Sequence, residues 1–325
     1  MSKQDKPIPP FKDLPLRKGD PFLSAWGLYG EGDQLGMLNR LTEGRVLEGV
    51  KEVREGVRIS LNAPLPLQTK SGTSFFNRAL FHQTLIRKSP RVVNDDVWTF
   101  NTQVSTQWDG LRHFAYQREG LFYGGVTMDD IHAEGSVKNG IQVMAEKGIV
   151  GRGILLDYHS WRLAQNPPIP FDSFSSTSIP LSHLLAVAES QGTEIKFGDI
   201  LILRTGFFPA LEAKSEAEVT QLKAGNPPSF GGVEQSMEMV QWIWENFSAV
   251  ASDHPTFECW PTQQKDWSLH EVLLAGWGCP IGELFDLEKL AVKCKELKKW
   301  SFFLVSEPCN VPGGVASPPN VLAIL

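Results

Sequence analysis

The sequence predicts a single α/β domain with a mixed β-sheet flanked by helices, on three observations. Helix-period and strand-period segments alternate through the second half, the pattern of strand–helix–strand units. The first half is richer in alternating β-branched and aromatic segments that read as strands. The 325 residues hold no internal repeat and no low-complexity linker, so one domain with long loops accounts for the length.

Residues 1–24 are proline-rich and polar and are expected to form an extended N-terminal arm; the domain proper is expected over residues 25–325. "AWGLYGEGDQLGMLNRLT" is a glycine-punctuated loop. "TEGRVLEGVKEVREG" (42–56) places Val46, Leu47, Val50 and Val53 near helical spacing, with Gly56 as the stop. "VRISLNAPL" (57–65) reads as a strand ended by Pro64. "ALFHQTLIRK" (79–88) and "DVWTFNTQVSTQWD" (96–109) alternate and read as two long strands. A helix over 137–148 precedes a buried strand at Ile154–Leu156 that ends in Asp157. Helices follow over 180–192 (Ser182 as cap, Gly192 as stop), 233–247, 268–277 (Ser268 as cap) and 287–300, with strands over 197–206, 248–253, 301–308 and at the C-terminal end.

Composition removes several function classes. Hydrophobic residues are 42% and charged residues 21%, ordinary for a globular protein, and the net charge is −6. Nucleic acids and anionic membranes need concentrated Lys and Arg, which this chain lacks. No apolar run reaches the ~18–20 residues that cross a bilayer, and the N-terminus has no apolar signal core. Cys259, Cys279, Cys294 and Cys309 form no C-x-x-C pair, so reduced thiols and a cytoplasmic protein are expected rather than a zinc–thiolate site.

The chemistry concentrates in "STQWDGLRHF" (105–114). Residues two apart on a strand share a face, so Gln103, Ser105, Gln107 and Asp109 are expected to line one face, with His113 beyond the turn at Gly110. Buried polar groups cost several kcal/mol unless paired, so this face meets solvent, itself, a metal or a ligand. The plain alternative is an exposed polar edge strand. His113 titrates near neutrality and suits proton transfer; otherwise it is a packed histidine bonded to a carbonyl. Glu283, in the apolar "CPIGELFDL", would have its pKa raised by burial and become a usable acid or base; otherwise it caps the helix at 287–300. "SDHPTFECWP" puts Asp253, His254 and Glu258 after a short strand, either as a lining loop or as a plain turn. His82 could face the pocket, and Trp26, Trp98, Trp108 and Phe76 could wall a flat substrate, although tryptophans more often belong to the core.

"QVSTQWDGLRH" resembles the metal-site signature H-x-G-T-H-x-D-x-P-x-H of the cyclase-like metal-dependent hydrolases, the family of bacterial kynurenine formamidases and isatin hydrolases. "GDQLGMLNRLT", "GRGILLD", "FGDILILRTGF", "SLHEVLLAGWGCPIGELFDLEKLA" and "FFLVSEPCNVPGGVASPPNVLAIL" resemble further family segments in the same order, from about Trp26 to the end. The resemblance implies a mixed, barrel-like sheet core (the cyclase-like fold) and a homodimer or larger assembly; composition leaves a small-molecule substrate with no nucleic-acid or membrane partner. The resemblance also implies Asp109, His270, Glu283 and Gln107 as metal ligands and His113, Glu283 and Asp109 as catalytic residues; from the residues themselves, Gln103, Gln107, Trp108, His82 and Trp26 are expected to bind the substrate around them. The sequence departs from the signature where both early histidines become glutamines, Gln103 and Gln107, the glycine becomes Ser105 and the proline Leu111. A neutral amide oxygen is a poor zinc donor, whereas a harder cation such as manganese accepts it better. Three functions therefore stand open: a hydrolase of a lactone, lactam or N-formyl group with manganese or zinc; a metal-free acid–base enzyme for lactone opening, dehydration or isomerisation; and a ligand-binding relative without catalysis.

Overall fold

The computed structural model describes residues 8–225 and 228–325. Its strands are β1 (Arg58–Ser60), β2 (His82–Arg87), β3 (Asn94–Thr99), β4 (Gln107–Asp109), β5 (Ile149–Asp157), β6 (Ser178–Ile179), β7 (Asp199–Arg204), β8 (Gly232–Val233), β9 (Phe247–Ser252), β10 (Ile281–Glu283), β11 (Ser301–Ser306), β12 (Ala316–Ser317) and β13 (Val321–Ile324). Nine of them form one mixed sheet in the order β1-β13-β11-β5-β7-β9-β10-β4-β12, curled into a half-barrel. The centre, β5-β7-β9-β10, is parallel, and both flanks are antiparallel.

The central strands show why the sequence builds this sheet. Ile154–Leu156, Ile200–Leu203 and Ala249–Ala251 are continuous apolar runs with no exposure, as parallel strands covered on both faces require. Helix Met237–Asn246 covers one face through Met239, Val240, Ile243 and Trp244, and Ser236 caps it by accepting the Met239 N–H. Helix Leu181–Gln191 starts after Pro180 without a side-chain cap, so Ser182 lies inside the helix rather than at its cap; it ends at the left-handed Gly192 as the pattern predicts. Residues 1–7 of the expected arm lie outside the described residues. The part from residue 8 lies against the domain's own core, where Phe11 meets Trp277 edge-on and the Pro9 carbonyl accepts from Trp244 Nε1. Among the described residues no helix is long and apolar enough to cross a membrane.

The long strand expected over 96–109 is broken. β3 stops at Thr99, residues 100–106 turn, and β4 covers only the last three residues. Side chains supply the physical reason. Asn101 Oδ1 accepts the Gln103 N–H, an Asx turn. The Val104 carbonyl then accepts from Gln68, and Thr106 Oγ1 donates to the Leu284 carbonyl, so the segment is satisfied without a strand partner. β2 and β3 pair only with each other, as a hairpin exposed along its length, and His82 sits at its base.

The loop after β9 carries a testable stability switch. His254 has no exposure, neither ring nitrogen has a hydrogen-bond partner among the described residues, and Phe171, Phe207 and Phe230 surround it. Burial pushes its pKa down to about 3, against 6.5 for a free imidazole. The unfolded chain therefore binds a proton below pH 6.5 that the fold refuses, and stability falls as pH drops from 6.5 towards 3. Between pH 6.5 and 5 the loss is about 2 kcal/mol. We expect thermal melts at pH 7.5 and 5 to show a larger decline for the wild type than for His254→Phe; parallel declines would refute the assignment.

Candidate active site

The register of β10 against β4 sets the site. Glu283 lies opposite Gln107, and Ile281 lies opposite Asp109. Gln107 and Asp109, two apart on β4, share a face as the period of two predicts. Ser105 does not join them: it lies in the turn, and its hydroxyl donates to the Pro64 carbonyl. Gln103 reaches the same centre through the turn.

These groups form one buried network. Gln103 Nε2 donates to Asp109 Oδ1 at 2.7 Å and lies 3.2 Å from each ring nitrogen of His113. Gln107 Nε2 donates to Glu283 Oε2 at 2.6 Å and to Asp109 Oδ1 at 3.3 Å. His113 follows the tight turn at Gly110, where its own N–H reaches the Gly110 carbonyl. A Cβ on Gly110 would stand 2.6 Å from the Val315 carbonyl oxygen, so the turn requires glycine. Nε2 of His113 lies 3.8 Å from Asp109 Oδ2.

His270 enters from the far side, at the start of a π-helical segment, Glu271–Trp277. Ser268 and Glu271 close a capping box there: Ser268 Oγ accepts the Glu271 N–H, and Glu271 Oε2 accepts the Ser268 N–H. Nδ1 of His270 meets Glu258 Oε1 at 2.5 Å, and Nε2 meets Glu283 Oε1 at 3.3 Å. Glu258 also accepts the N–H groups of Leu269 and His270 and a hydrogen bond from Gln235 Nε2.

The electrostatics follow from this packing. Burial pushes Glu283 up to about 7, and the Asp109 carboxylate adds to the rise while His270 opposes it. His270 is held up to about 10: burial alone would lower it, but the Glu258 and Glu283 carboxylates outweigh that cost. His113 is lowered, by burial first and by the positive neighbours His270 and Arg78, against an opposing pull from Asp109. It is therefore neutral at pH 7 and able to accept a proton.

A cavity of about 160 Å³ opens onto this network, lined by Phe76, Arg78, His113, Phe114, Pro255, Thr256, Trp260, His270 and Glu283. Of the expected wall, Phe76 lines it, while Trp260 and Phe114 complete the aromatic surface. Trp26 is buried, donates to the Ala275 carbonyl and borders a different cavity; Trp108 turns into the core and donates to Ser306; Trp98 lies on the exposed hairpin. His82 is likewise exposed and off the cavity.

Sequence reasoning left Glu258 as one member of a polar turn and did not single out Arg78 or Gln235. An acidic residue between Phe257 and Cys259, both without exposure, was the available signal for Glu258. Arg78 had none, because its place depends on the turn at 100–106.

The residues present fit a divalent cation. One ligand atom from each of Asp109, His113 and His270 lies within 4.8 Å of the others. Asp109 Oδ2 and Gln107 Oε1 are buried acceptors without a donor. The Glu258–His270 contact fixes Nδ1 and leaves Nε2 facing the cluster, the usual outer support of a ligating histidine. This set offers one carboxylate and two imidazoles with Gln107 Oε1 beside them, donors that zinc or manganese can take.

Comparison with known proteins agrees with this architecture. The family model described as "Putative cyclase" matches residues 55–259. The crystal structure of a novel cyclase is 27% identical with a TM-score of 0.78, covering 93% of this chain and 99% of that one. Isatin hydrolase A from Ralstonia solanacearum is 15% identical (TM-score 0.55; 86% and 95% covered), and an isatin hydrolase bound to the product analogue thioisatinate is 13% identical (TM-score 0.53; 87% and 95% covered). These two show a shared fold. No curated protein matches the chain. The family match spans more than half of the sequence and includes β4 with its glutamine-substituted motif, so this chain belongs to the cyclase family.

Proposed function

We propose that the chain is a hydrolase that adds water to the carbonyl of a small cyclic or aromatic amide or ester: a lactone, a lactam or an N-formyl group. The observation that carries this reading is a neutral His113 at an aromatic-walled cavity beside Asp109, whose Oδ2 is buried without a donor. Asp109 and His270, with Glu283 and the Gln107 carbonyl oxygen beside them, would hold a divalent cation, manganese or zinc. Such an ion, when bound, polarises the carbonyl and makes bound water more acidic. His113 takes the proton from the attacking water. His113 then returns that proton to the departing nitrogen or oxygen. Gln103 spans Asp109 and His113 and keeps the imidazole facing the cavity. Phe76, Phe114 and Trp260 exclude water from around the reacting carbonyl.

A second reading is carried by a different observation. His270 lies between two carboxylates, and the glutamine amides occupy Asp109 Oδ1 and Glu283 Oε2, so the cluster compensates much of its own charge. In that reading His113 and Glu283 are the acid–base pair of a metal-free lactone opening, dehydration or isomerisation.

We also propose a cytoplasmic homo-oligomer that acts on a small molecule. The four unpaired cysteines support the compartment, and the exposed Leu85, Val97 and Trp98 of the β2–β3 hairpin support a second copy as partner.

His113→Ala tests catalysis against mere binding. We expect turnover on a lactone and aryl-ester panel to fall by roughly 10²–10⁴-fold while ligand affinity changes little. Unchanged turnover would remove His113 from the mechanism, and absence of turnover in the wild type on every class of substrate would favour a binding protein.

A further inference from the structure

We infer that Arg78 is the anion anchor of the cavity, and that the ligand accepted there is an aromatic ester or amide carrying a carboxylate of its own. For what is turned over, the inference rests on the hydrolytic reading above; for what is bound, it stands on the geometry of Arg78.

Arg78 is the only lysine or arginine on the cavity wall among the described residues. The other nitrogen bases there are otherwise engaged. His270 is held between Glu258 and Glu283, and both ring nitrogens of His113 lie 3.2 Å from Gln103 Nε2. Arg78 itself has no carboxylate within ion-pair distance among the described residues. Its single hydrogen bond runs from Nη1 to the Gln103 carbonyl oxygen at 2.7 Å, and its Cζ stands 5.1 Å from the centre of the Phe76 ring. The backbone contact and the ring hold the guanidinium at the mouth of the site, and most of its five donors stay uncommitted. A planar fork with free parallel N–H groups matches a carboxylate in two-point contact, better than any neutral acceptor.

The rest of the wall sets the body of the ligand. Phe76, Phe114, Trp260 and Pro255 present flat apolar surface. A cavity of ~150 Å³ is enough to hold benzene, and this one measures about 160 Å³. One aromatic ring therefore fills it, with an acid group directed to Arg78 and a scissile carbonyl directed to His113. Arg118 and Lys265 border a neighbouring cavity that shares Phe114 and Trp260, but both are exposed and have no such aromatic clamp among the described residues.

The test compares matched probes on the full-length protein. Calorimetric titration with benzoate and with neutral benzamide reads binding without turnover. The expected result is a tenfold or greater preference for benzoate in the wild type, lost in Arg78→Ala and partly kept in Arg78→Lys. Equal affinity for the two probes, or a preference that survives Arg78→Ala, overturns the anchor. Should Arg78→Ala not fold, the wild-type comparison and Arg78→Lys still decide. Turnover of acetylsalicylate against phenyl acetate then separates the two readings. A selectivity for the anionic ester that collapses in Arg78→Ala supports both. A parallel loss on both esters makes Arg78 a general element of catalysis and overturns the anchor while hydrolysis stands. Benzoate preference without turnover of any ester, lactone or amide keeps the anchor and removes the hydrolase.

Discussion

Asp109→Asn is expected to lower turnover by roughly a thousandfold, the scale seen when one preorganised electrostatic group is removed from a closed site, and to leave the melting temperature of the metal-stripped protein unchanged or raised. The side chain has no exposure; its Oδ1 is shared by two glutamine amides, and its Oδ2 has no donor. An isosteric amide keeps the shape and removes a buried negative charge that the fold does not fully pair. Removing such a charge relieves desolvation, so stability does not fall. Steady-state kinetics on the ester and lactone panel, with thermal melts alongside, check both halves. Activity within tenfold of the wild type would mean that the buried carboxylate is structural.

The second large effect concerns a residue that does not line the cavity. Glu258→Gln is expected to lower kcat by roughly 10–100-fold, the usual cost of losing an outer carboxylate behind a functional histidine, with little change in KM. The amide oxygen can still accept the Leu269 and His270 N–H groups. The lost element is the negative charge at Nδ1, which helps hold His270 up to about 10. An NMR titration of His270 in metal-stripped protein is therefore expected to show its pKa falling towards neutrality in the variant. A merely structural Glu258 would instead lower stability and leave the His270 titration unmoved.

How much of this was legible from sequence can be argued from particular residues. The central strands of the mixed sheet were legible because Ile200–Leu203 and Ile154–Leu156 are apolar runs; their parallel pairing was not read from the sequence. The juxtaposition of Glu283 and Gln107 was not plain. It depends on the register of β10, a three-residue strand too short to announce itself by period. The same limit hid the end of β3. A run of Val, Thr, Phe and Trp reads as strand throughout, yet Asn101 captures the Gln103 N–H and turns the chain, and that turn brings Gln103 back to Asp109 and holds Arg78 at the cavity. The individual polar residues were visible in the motif. The partnership of His270 with Glu258 was not, because 12 positions separate them and the polar run Thr262–Asp266 lies between.

Where the resembled signature carries two histidines, this chain has Gln103 and Gln107, whose amides donate to Asp109 and Glu283. Oxygen donors replace nitrogen donors, and the unfilled acceptors Asp109 Oδ2 and Gln107 Oε1 remain. Elemental analysis of protein purified without chelator or added metal tests this account most directly, combined with activity before stripping, after stripping and after restoration. The expected result is about one divalent ion per chain, manganese or zinc, and activity that disappears on chelation and returns with the metal. Metal-free protein with full activity in chelator would contradict it, and would leave His113 and Glu283 as the acid–base pair of a metal-free enzyme.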